Sequence, residues 1–235
     1  MAITGCTGMA LARGSASAFG CTCAYARMTA AEADFGQDQV YQDMALPTLQ
    51  TSRLSLRPLS EHNRDDIIDL DSDPQVMKYV HSGHPLTQQE AIQDHQERLL
   101  ACRQIPGLGY WAGYLDDIFI GWAALSPIQS NSGAFHAQKA ELGYRISPRF
   151  WRQGYAKEMA RELLRYGFEQ LGLVEVVGQT MAVNEVSRAT MKACGMEHVR
   201  TLYVEFEDPI PGSEDGEVEY AITREEWLEL QSHLK

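Results

Sequence analysis

The clearest pattern in this chain is a stripe of apolar residues that follows a short polar turn. The members of the stripe recur at three- and four-residue spacing and are Met159, Leu163, Leu164, Phe168 and Leu171. This spacing predicts an amphipathic helix that begins near Tyr155 and packs on a sheet. Just upstream, residues 141–146 alternate in the manner of a strand, and Ser147 and Pro148 end it. The sequence therefore predicts a strand, a turn and a helix in succession.

The same patterns divide the rest of the chain. Alternating or β-rich segments predict strands over residues 53–59, 110–115, 118–125, 173–180, 197–206 and 218–222. Apolar periodicity and capping residues predict helices over residues 63–70, 73–79, 87–103 and 184–194, with a last helix after Thr223. Asp116 and Asp117 predict a hairpin turn between two of the strands. The expected fold class is α/β with a mixed sheet, with hairpins at both ends and one β-α-β-α unit in the middle.

Length and composition are those of one domain of ordinary size. The chain has 235 residues, of which 44% are hydrophobic, and this is enough to build a core. No apolar run approaches the roughly 20 residues that a membrane span requires. A formal net charge of −12 argues against nucleic acid, whose binding sites are usually basic. We therefore expect neither nucleic-acid nor membrane partners.

The five cysteines form no disulfide framework, because three of them fall within the first 23 residues. Cys102 and Cys194 each lie in an apolar segment, which predicts buried free thiols. Such thiols are typical of a reducing compartment, so we expect a cytoplasmic protein.

Residues 1–43 differ from the segments that follow them. Up to Met28 they are rich in Ala, Gly, Ser, Thr and Cys, and glycines interrupt any apolar run of the kind that a secretory signal needs. The lack of acidic residues before Glu32 is faintly like a transit peptide. We expect residues 1–43 to be a disordered or non-native extension, with a native start at Met28 or Met44, and residues 44–235 to form the domain.

The turn before the predicted long helix carries the first candidate chemistry. Gly154 stands where this helix begins, and a helix N-terminus offers unpaired N–H groups and about half a positive charge, which suit a phosphate. A lone glycine more often only makes the turn, so this feature alone leaves both interpretations open.

Three segments in this order resemble the GNAT N-acetyltransferases, and in particular their RimJ/RimL-like branch. The segments are Leu-Gln-Thr-Ser-Arg-Leu-Ser-Leu-Arg at residues 49–57, Arg-Gln-Gly-Tyr-Ala-Lys-Glu at residues 152–158, and the helix that follows Asn184. The resemblance spans residues 49–230. One departure is Trp151, which stands where the superfamily's turn usually has Arg or Gln.

The resemblance implies a GNAT-like fold, with a mostly antiparallel central sheet flanked by helices and a V-shaped splay between two central parallel strands. It implies acetyl-CoA as co-substrate and no metal. In such enzymes the diphosphate rests on the backbone of the turn, here Arg152, Gln153, Gly154, Tyr155 and Ala156. The pantetheine arm pairs with the strand before the turn, here at Tyr144, Arg145 and Ile146. Asn184 resembles an asparagine that holds this arm, although it is equally suited to be a plain helix N-cap.

Acetyl transfer to an amine requires a neutral amine and a proton for the departing thiolate. At pH 7 roughly 0.04% of a lysine amine is neutral, against about 10% of an α-amine, so an α-amine needs only a modest base. Glu141 resembles the acidic residue that serves as this base in several relatives, directly or through water, but is otherwise an exposed strand-end carboxylate. Ser187 resembles the hydroxyl that delivers the proton, or merely caps its helix. Tyr203 is a further candidate acid, although an aromatic residue in a strand is more often core.

The acceptor and the assembly remain open at this stage. Between residues 205 and 219 there are seven acidic residues and no basic one, which is usually a solvated loop but would also attract a cationic amine. His81 and His84 lie in a loop where metal binding is the weaker interpretation. We expect an acetyltransferase that acts on a protein N-terminus or a small-molecule amine in a ternary complex, as a monomer or homodimer. The alternative is a non-catalytic acyl-CoA-binding or sensing module.

Overall fold

The computed structural model describes residues 2–3, 46–80, 82–130, 133–203 and 209–233. Within these ranges nine strands form one sheet, and they are β1 (Ala2–Ile3), β2 (Leu49–Gln50), β3 (Ser55–Pro58), β4 (Gly109–Leu115), β5 (Ile118–Gln129), β6 (Phe135–Ile146), β7 (Glu175–Met181), β8 (Glu197–Leu202) and β9 (Glu217–Thr223). The α-helices are α1 (Arg64–Asp71), α2 (Pro74–Met77), α3 (Gln88–Ala101), α4 (Tyr155–Glu169), α5 (Glu185–Ala193) and α6 (Arg224–Ser232). The expectation for residues 1–43 lies outside this description, except that residues 2–3 form β1.

The sheet follows the order β2-β3-β4-β5-β6-β7-β9-β8, and β1 also pairs with β6. Only β6 and β7 run parallel in the described sheet, and every other pair is antiparallel. The parallel register covers three residues of each strand, Lys139 to Glu141 against Glu175 to Val177. The expected α/β fold with a mostly antiparallel sheet and a splay between two central parallel strands is confirmed.

Helices cover the sheet on two faces, and strand alternation sorts the side chains between two cores. One core lies beneath α4, α5 and α6 and includes Leu163, Met191 and Trp227. The other lies beneath α1 and α2 and includes Ile67 and Met77. The stripe that predicted α4 forms its buried face, since Met159, Leu163, Leu164 and Phe168 are all buried. We call these two sides of the sheet the α4 face and the α1 face.

Local turn chemistry explains several element boundaries. Asp116 and Asp117 both have positive φ, 48° and 64°, as a two-residue hairpin turn between β4 and β5 requires. The strand β6 begins at Phe135, six residues before the predicted start at Glu141. Sequence patterns miss this extension because residues 136–138 are exposed, and an exposed strand carries no apolar alternation.

A buried ion cluster joins the α1 face to the central strand. Arg145 on β6 donates to Asp71 on α1 at 2.5 Å, and Arg98 on α3 donates to Asp71 at 2.9 Å and to Asp94 at 2.5 Å. Both guanidinium groups lie about 5 Å from the Trp122 ring, at 5.0 and 5.2 Å. Burial alone raises the pKa of Asp71, but Arg145 and Arg98 outweigh it and hold this pKa below its usual value. The cluster therefore fixes β6 against two helices at neutral pH, and its contribution is lost as the pH falls through the lowered pKa of Asp71.

We predict that Asp71→Asn lowers the free energy of unfolding by about 3–5 kcal/mol, because it leaves buried guanidinium charge without its partner. Urea unfolding at neutral pH measures this change. The matched control is Asp65→Asn on the same helix, whose side chain is exposed and should change stability by less than about 0.5 kcal/mol. Equal effects of the two substitutions would contradict the structural role of the cluster.

Candidate active site

The centre of the candidate site is the V that opens between β6 and β7. At its closed end the two strands are tied by their backbone pairing and by Lys139, whose Nζ lies 2.5 Å from Glu175 Oε2. Glu141 and Val177 are the last residues that pair, so the V opens from there towards Ile146 and Met181. Along this stretch the edge of β6 pairs instead with β1, at Tyr144 and Arg145. The edge of β6 inside the V therefore accepts an extended backbone.

Glu141 stands at the closed end of the V and points to the α1 face, because its neighbour Leu142 is buried on the α4 face. Its Oε1 is buried and has no hydrogen-bond partner among the described residues. Burial, together with the nearby carboxylates of Glu219 and Glu217, raises the pKa of Glu141 to about 8. A carboxyl group in this state is a stronger base than an ordinary glutamate.

A group of hydroxyls lies on the α4 face of the V. Ser187, in the first turn of α5, is fully buried at 0% exposure, and the Tyr144 hydroxyl donates to its carbonyl at 3.3 Å. The hydroxyl of Tyr144 also has side-chain hydrogen bonds with Ser187 and Thr190, and burial raises its pKa. The V is thus flanked by a proton-accepting carboxyl on one face and by proton-carrying hydroxyls on the other. Sequence analysis assigned only the backbone of Tyr144 to the site and missed its hydroxyl.

The turn before α4 has the geometry of an anion cradle. Arg152 and Gly154 both adopt left-handed backbone conformations, with φ of 60° and 83°, and α4 begins at the next residue, Tyr155. A Cβ added at Gly154 would meet only Arg53 Nη2, at 3.6 Å, so the outer side of the turn is open among the described residues. Arg152 and Gln153 are exposed. An open turn at the N-terminus of a fifteen-residue helix is suited to bind a phosphate.

Comparison with known proteins identifies the family. Residues 53–197 match the model of the Acetyltransferase (GNAT) domain. The chain belongs to the GNAT acetyltransferase family. It is 49% identical over 189 residues, covering 80% of each chain, to the FsC-acetyl coenzyme A-N(2)-transacetylase of Aspergillus fumigatus. This protein is therefore an N-acetyltransferase, and acetyl-CoA is its co-substrate.

Solved structures share the fold. One is a spermidine N-acetyltransferase from Vibrio cholerae in complex with CoA and spermine, with a TM-score of 0.61 and 20% identity over 75% of this chain and 99% of that one. Another is the ribosomal-protein α-N-acetyltransferase RimL in complex with coenzyme A, with a TM-score of 0.62 and 14% identity over 75% of this chain and 98% of that one. These likenesses support the GNAT architecture.

The motif at residues 49–57 of this GNAT protein contacts the turn before α4 and holds it in place. Glu158 in the first turn of α4 accepts hydrogen bonds from Thr51 Oγ1 at 2.6 Å, Ser52 Oγ at 3.1 Å and Arg53 Nε at 2.7 Å. Arg53 Nη1 also donates to the carbonyl of Gln153 at 3.1 Å. Although burial raises the pKa of Glu158, hydrogen bonds from Thr51 and Arg53 hold it below its usual value. We call residues 51–53 and Glu158 the turn brace. Sequence analysis used the motif only to recognise the family.

Asn184 serves as the N-cap of α5. Its Oδ1 accepts from the Ser187 N–H at 3.3 Å, and its Nδ2 donates to Thr180 Oγ1 at 3.0 Å. The capping alternative is therefore confirmed, and a contact to pantetheine stays a prediction.

Tyr203 is not brought to the V. It follows β8, which β9 separates from β7, and its side chain is 76% exposed. Sequence periodicity placed it in a strand but gave no information about which strand would be outermost.

Neither a metal centre nor a membrane span appears in the described part of the chain. No group of three or more His, Cys, Asp or Glu side chains there is placed to hold a metal ion, and His81 lies outside it. No described helix has the length and apolar character needed to cross a membrane. Cys102 and Cys194 are free thiols, of which Cys194 is buried.

We predict that Glu141→Gln stabilises the protein at alkaline pH. The carboxyl titrates near 4.5 in the unfolded chain and at about 8 in the folded one, so its contribution to stability is full below about 4.5 and is lost as the pH rises towards about 8. Glutamine mimics the protonated form and does not titrate. Calorimetry should therefore show a higher Tm for the variant at pH 8, by about 2–4 °C for each kcal/mol recovered, and little difference near pH 5.

The control for this experiment is Glu197→Gln, because Glu197 is an exposed carboxylate on β8. A Glu141→Gln protein whose Tm is lowered equally at every pH would contradict the raised pKa.

Proposed function

We propose that this protein transfers the acetyl group of acetyl-CoA to an amine of α-amine basicity on a small molecule, by direct attack in a ternary complex. The single observation that carries the proposal is the buried Oε1 of Glu141, which has no partner among the described residues and lies at the closed end of the V. Glu141 acts as the general base, directly or through a water.

Matching of pKa values favours this class of acceptor. A proton moves from an α-amine of pKa about 8 to a carboxylate whose protonated form has a pKa of about 8 at almost no free-energy cost. The same transfer from a lysine-type amine of pKa about 10.4 costs about 3 kcal/mol. The Aspergillus relative is named for transfer to a nitrogen numbered 2 of a compound called FsC. That name supports a small-molecule acceptor and a defined nitrogen.

The residues of the turn and the V fit the co-substrate. The backbone of residues 152–156 would hold the diphosphate at the start of α4, and the β6 edge at residues 144–146 would pair with the pantetheine arm, as it pairs with β1 in the structure. Asn184 would border this arm. The RimJ/RimL-like branch is consistent with the brace motif at residues 49–57.

In the proposed reaction, Glu141 on one face of the V handles one proton, and Ser187 on the other face handles the second. Acetyl-CoA supplies an acetyl thioester when it is bound. Glu141 takes one proton from the ammonium form of the acceptor and later releases it to solvent. As the N–C bond forms, the second amine proton passes to Ser187, which is hydrogen-bonded to Tyr144. Ser187 gives its own hydroxyl proton to the sulfur as the C–S bond breaks, so CoA leaves as the thiol and the serine hydroxyl is restored.

We predict that Glu141→Gln lowers kcat by about 10²- to 10⁴-fold, the usual contribution of a general base, and leaves KM for acetyl-CoA unchanged. CoA release would be measured with FsC and with lysine blocked at either nitrogen, which offers an α-amine or a side-chain amine alone, and the product identified by mass spectrometry. The α-amine should be the better acceptor, and Glu197→Gln should behave as wild type. Binding of acetyl-CoA without CoA release by any amine would refute the proposal.

We further predict that breaking the turn brace raises KM for acetyl-CoA. Arg53→Gln removes the bonds to Gln153 and Glu158, so the turn loses its fixed shape and KM should rise about tenfold, with a smaller change in kcat. Arg57→Gln is the control, because Arg57 makes its exposed ion pair with Asp117 in the β4–β5 hairpin. An unchanged KM in Arg53→Gln would show that the brace does not shape the co-substrate site.

A further inference from the structure

Two acidic residues on β9 share a face of the sheet with Glu141. Val218 and Tyr220 are buried in the core on the α4 face, so Glu217 and Glu219, which alternate with them, lie on the α1 face. Glu219 pairs in register with Gln179 on β7, the strand that forms one arm of the V. The mechanism proposed above uses neither glutamate.

Glu219 differs from an ordinary surface carboxylate because its position is fixed. Its Oε2 accepts from Gln179 Nε2 at 2.7 Å and from Arg200 Nη2 at 2.9 Å, and the residue is only 7% exposed. Arg200 lies on the edge strand β8 with a half-exposed side chain. Two donors on one oxygen hold the carboxyl group in a fixed orientation beside the V.

We propose that Glu219, held by Gln179 and Arg200, is a positioning residue of the acetyl transfer. Its negative charge beside the V keeps Glu141 a strong base and, with Glu217, favours an acceptor that arrives as a cation. This inference rests on the proposed role of Glu141 and adds the charge state of the acceptor.

The second observation that points to a ligand is Glu141 itself, whose buried Oε1 has no partner in the described structure. A protonated amine supplies both the donor that this oxygen lacks and a positive charge among three carboxyl groups. Desolvation of the carboxyl is the largest cause of the raised pKa of Glu141, and Glu219 and Glu217 follow as the electrostatic causes. Burial also raises the pKa of Glu217.

The other groups around Glu141 do not cancel the electrostatic field of Glu217 and Glu219. Ser126 on β5 pairs with Glu141 in register and is uncharged, as is Gln179 on β7. Lys139 and Arg145 are the cations of β6 on the same face as Glu141. Lys139 is paired with Glu175 at 2.5 Å, and Arg145 is paired with Asp71 at 2.5 Å. Arg200 on β8 is the cation bound to Glu219, so it weakens the effect of Glu219 on Glu141 without abolishing it.

The test is the pH dependence of kcat/KM for the acceptor in two variants with opposite expected shifts. Wild type should lose activity below pH about 8, the pKa of Glu141. Glu219→Gln removes a negative charge and should therefore lower the pH at which activity is lost by about 0.5–1 pH unit. Arg200→Gln removes the cation that is paired with Glu219 and should raise the pH at which activity is lost. A merely structural role would not shift the two profiles in opposite directions.

Acceptor charge provides a second readout. Glu219→Gln should raise KM for a cationic amine several-fold and weaken its salt dependence, because only Glu217 and Glu141 then remain. KM for acetyl-CoA and for an arylamine that is neutral at pH 7 should stay unchanged. Glu197→Gln, on the same strand as Arg200, is the control. If neither variant shifts its pH profile while Glu141→Gln still has the predicted loss of kcat, this inference is overturned and the proposed function stands. Full activity of Glu141→Gln would instead overturn the proposed function itself.

Discussion

The site depends on the burial of one carboxyl group, Glu141, at the point where two parallel strands separate. A carboxyl with a buried, unpartnered oxygen favours its protonated form, and this tendency opposes the ionised state that the proposed catalysis needs. Glu141 itself therefore contributes little to stability at neutral pH, so the rest of the fold must hold β6 in place. The Asp71–Arg145 pair on one face and the core beneath α4 on the other provide that support.

The two faces of the sheet carry different chemical groups beside the V. The α4 face carries the braced turn, the N-cap at Asn184 and the hydroxyls of Tyr144 and Ser187. The α1 face carries the carboxyl groups of Glu141, Glu217 and Glu219. In the proposed reaction, the amine would enter the V from the acidic side and the thioester from the other. Strand alternation, and not closeness in sequence, therefore decides which residues lie together.

Local patterns were sufficient to predict much of the fold. The stripe of α4, the positive-φ hairpin at Asp116 and the N-cap at Asn184 each depend on neighbouring residues and were confirmed. Partners that come from distant segments were not predictable, since no period links Asp71 to Arg145 or Glu219 to Arg200. The position of Tyr203 was unpredictable for a related reason. Its exposure follows from β9 lying between β8 and β7, and strand order is a property of the whole sheet.

The most direct measurement of the central claim is the titration of Glu141 itself in the free enzyme. Carbon-13 NMR of side-chain carboxyls, with Glu141→Gln used to assign the resonance, would follow its protonation from about pH 3 to pH 10. A midpoint near 8 is the predicted result, caused by burial and by the carboxylates of β9. A midpoint near the ordinary glutamate value of about 4.3 would contradict the assignment of Glu141 as a buried base.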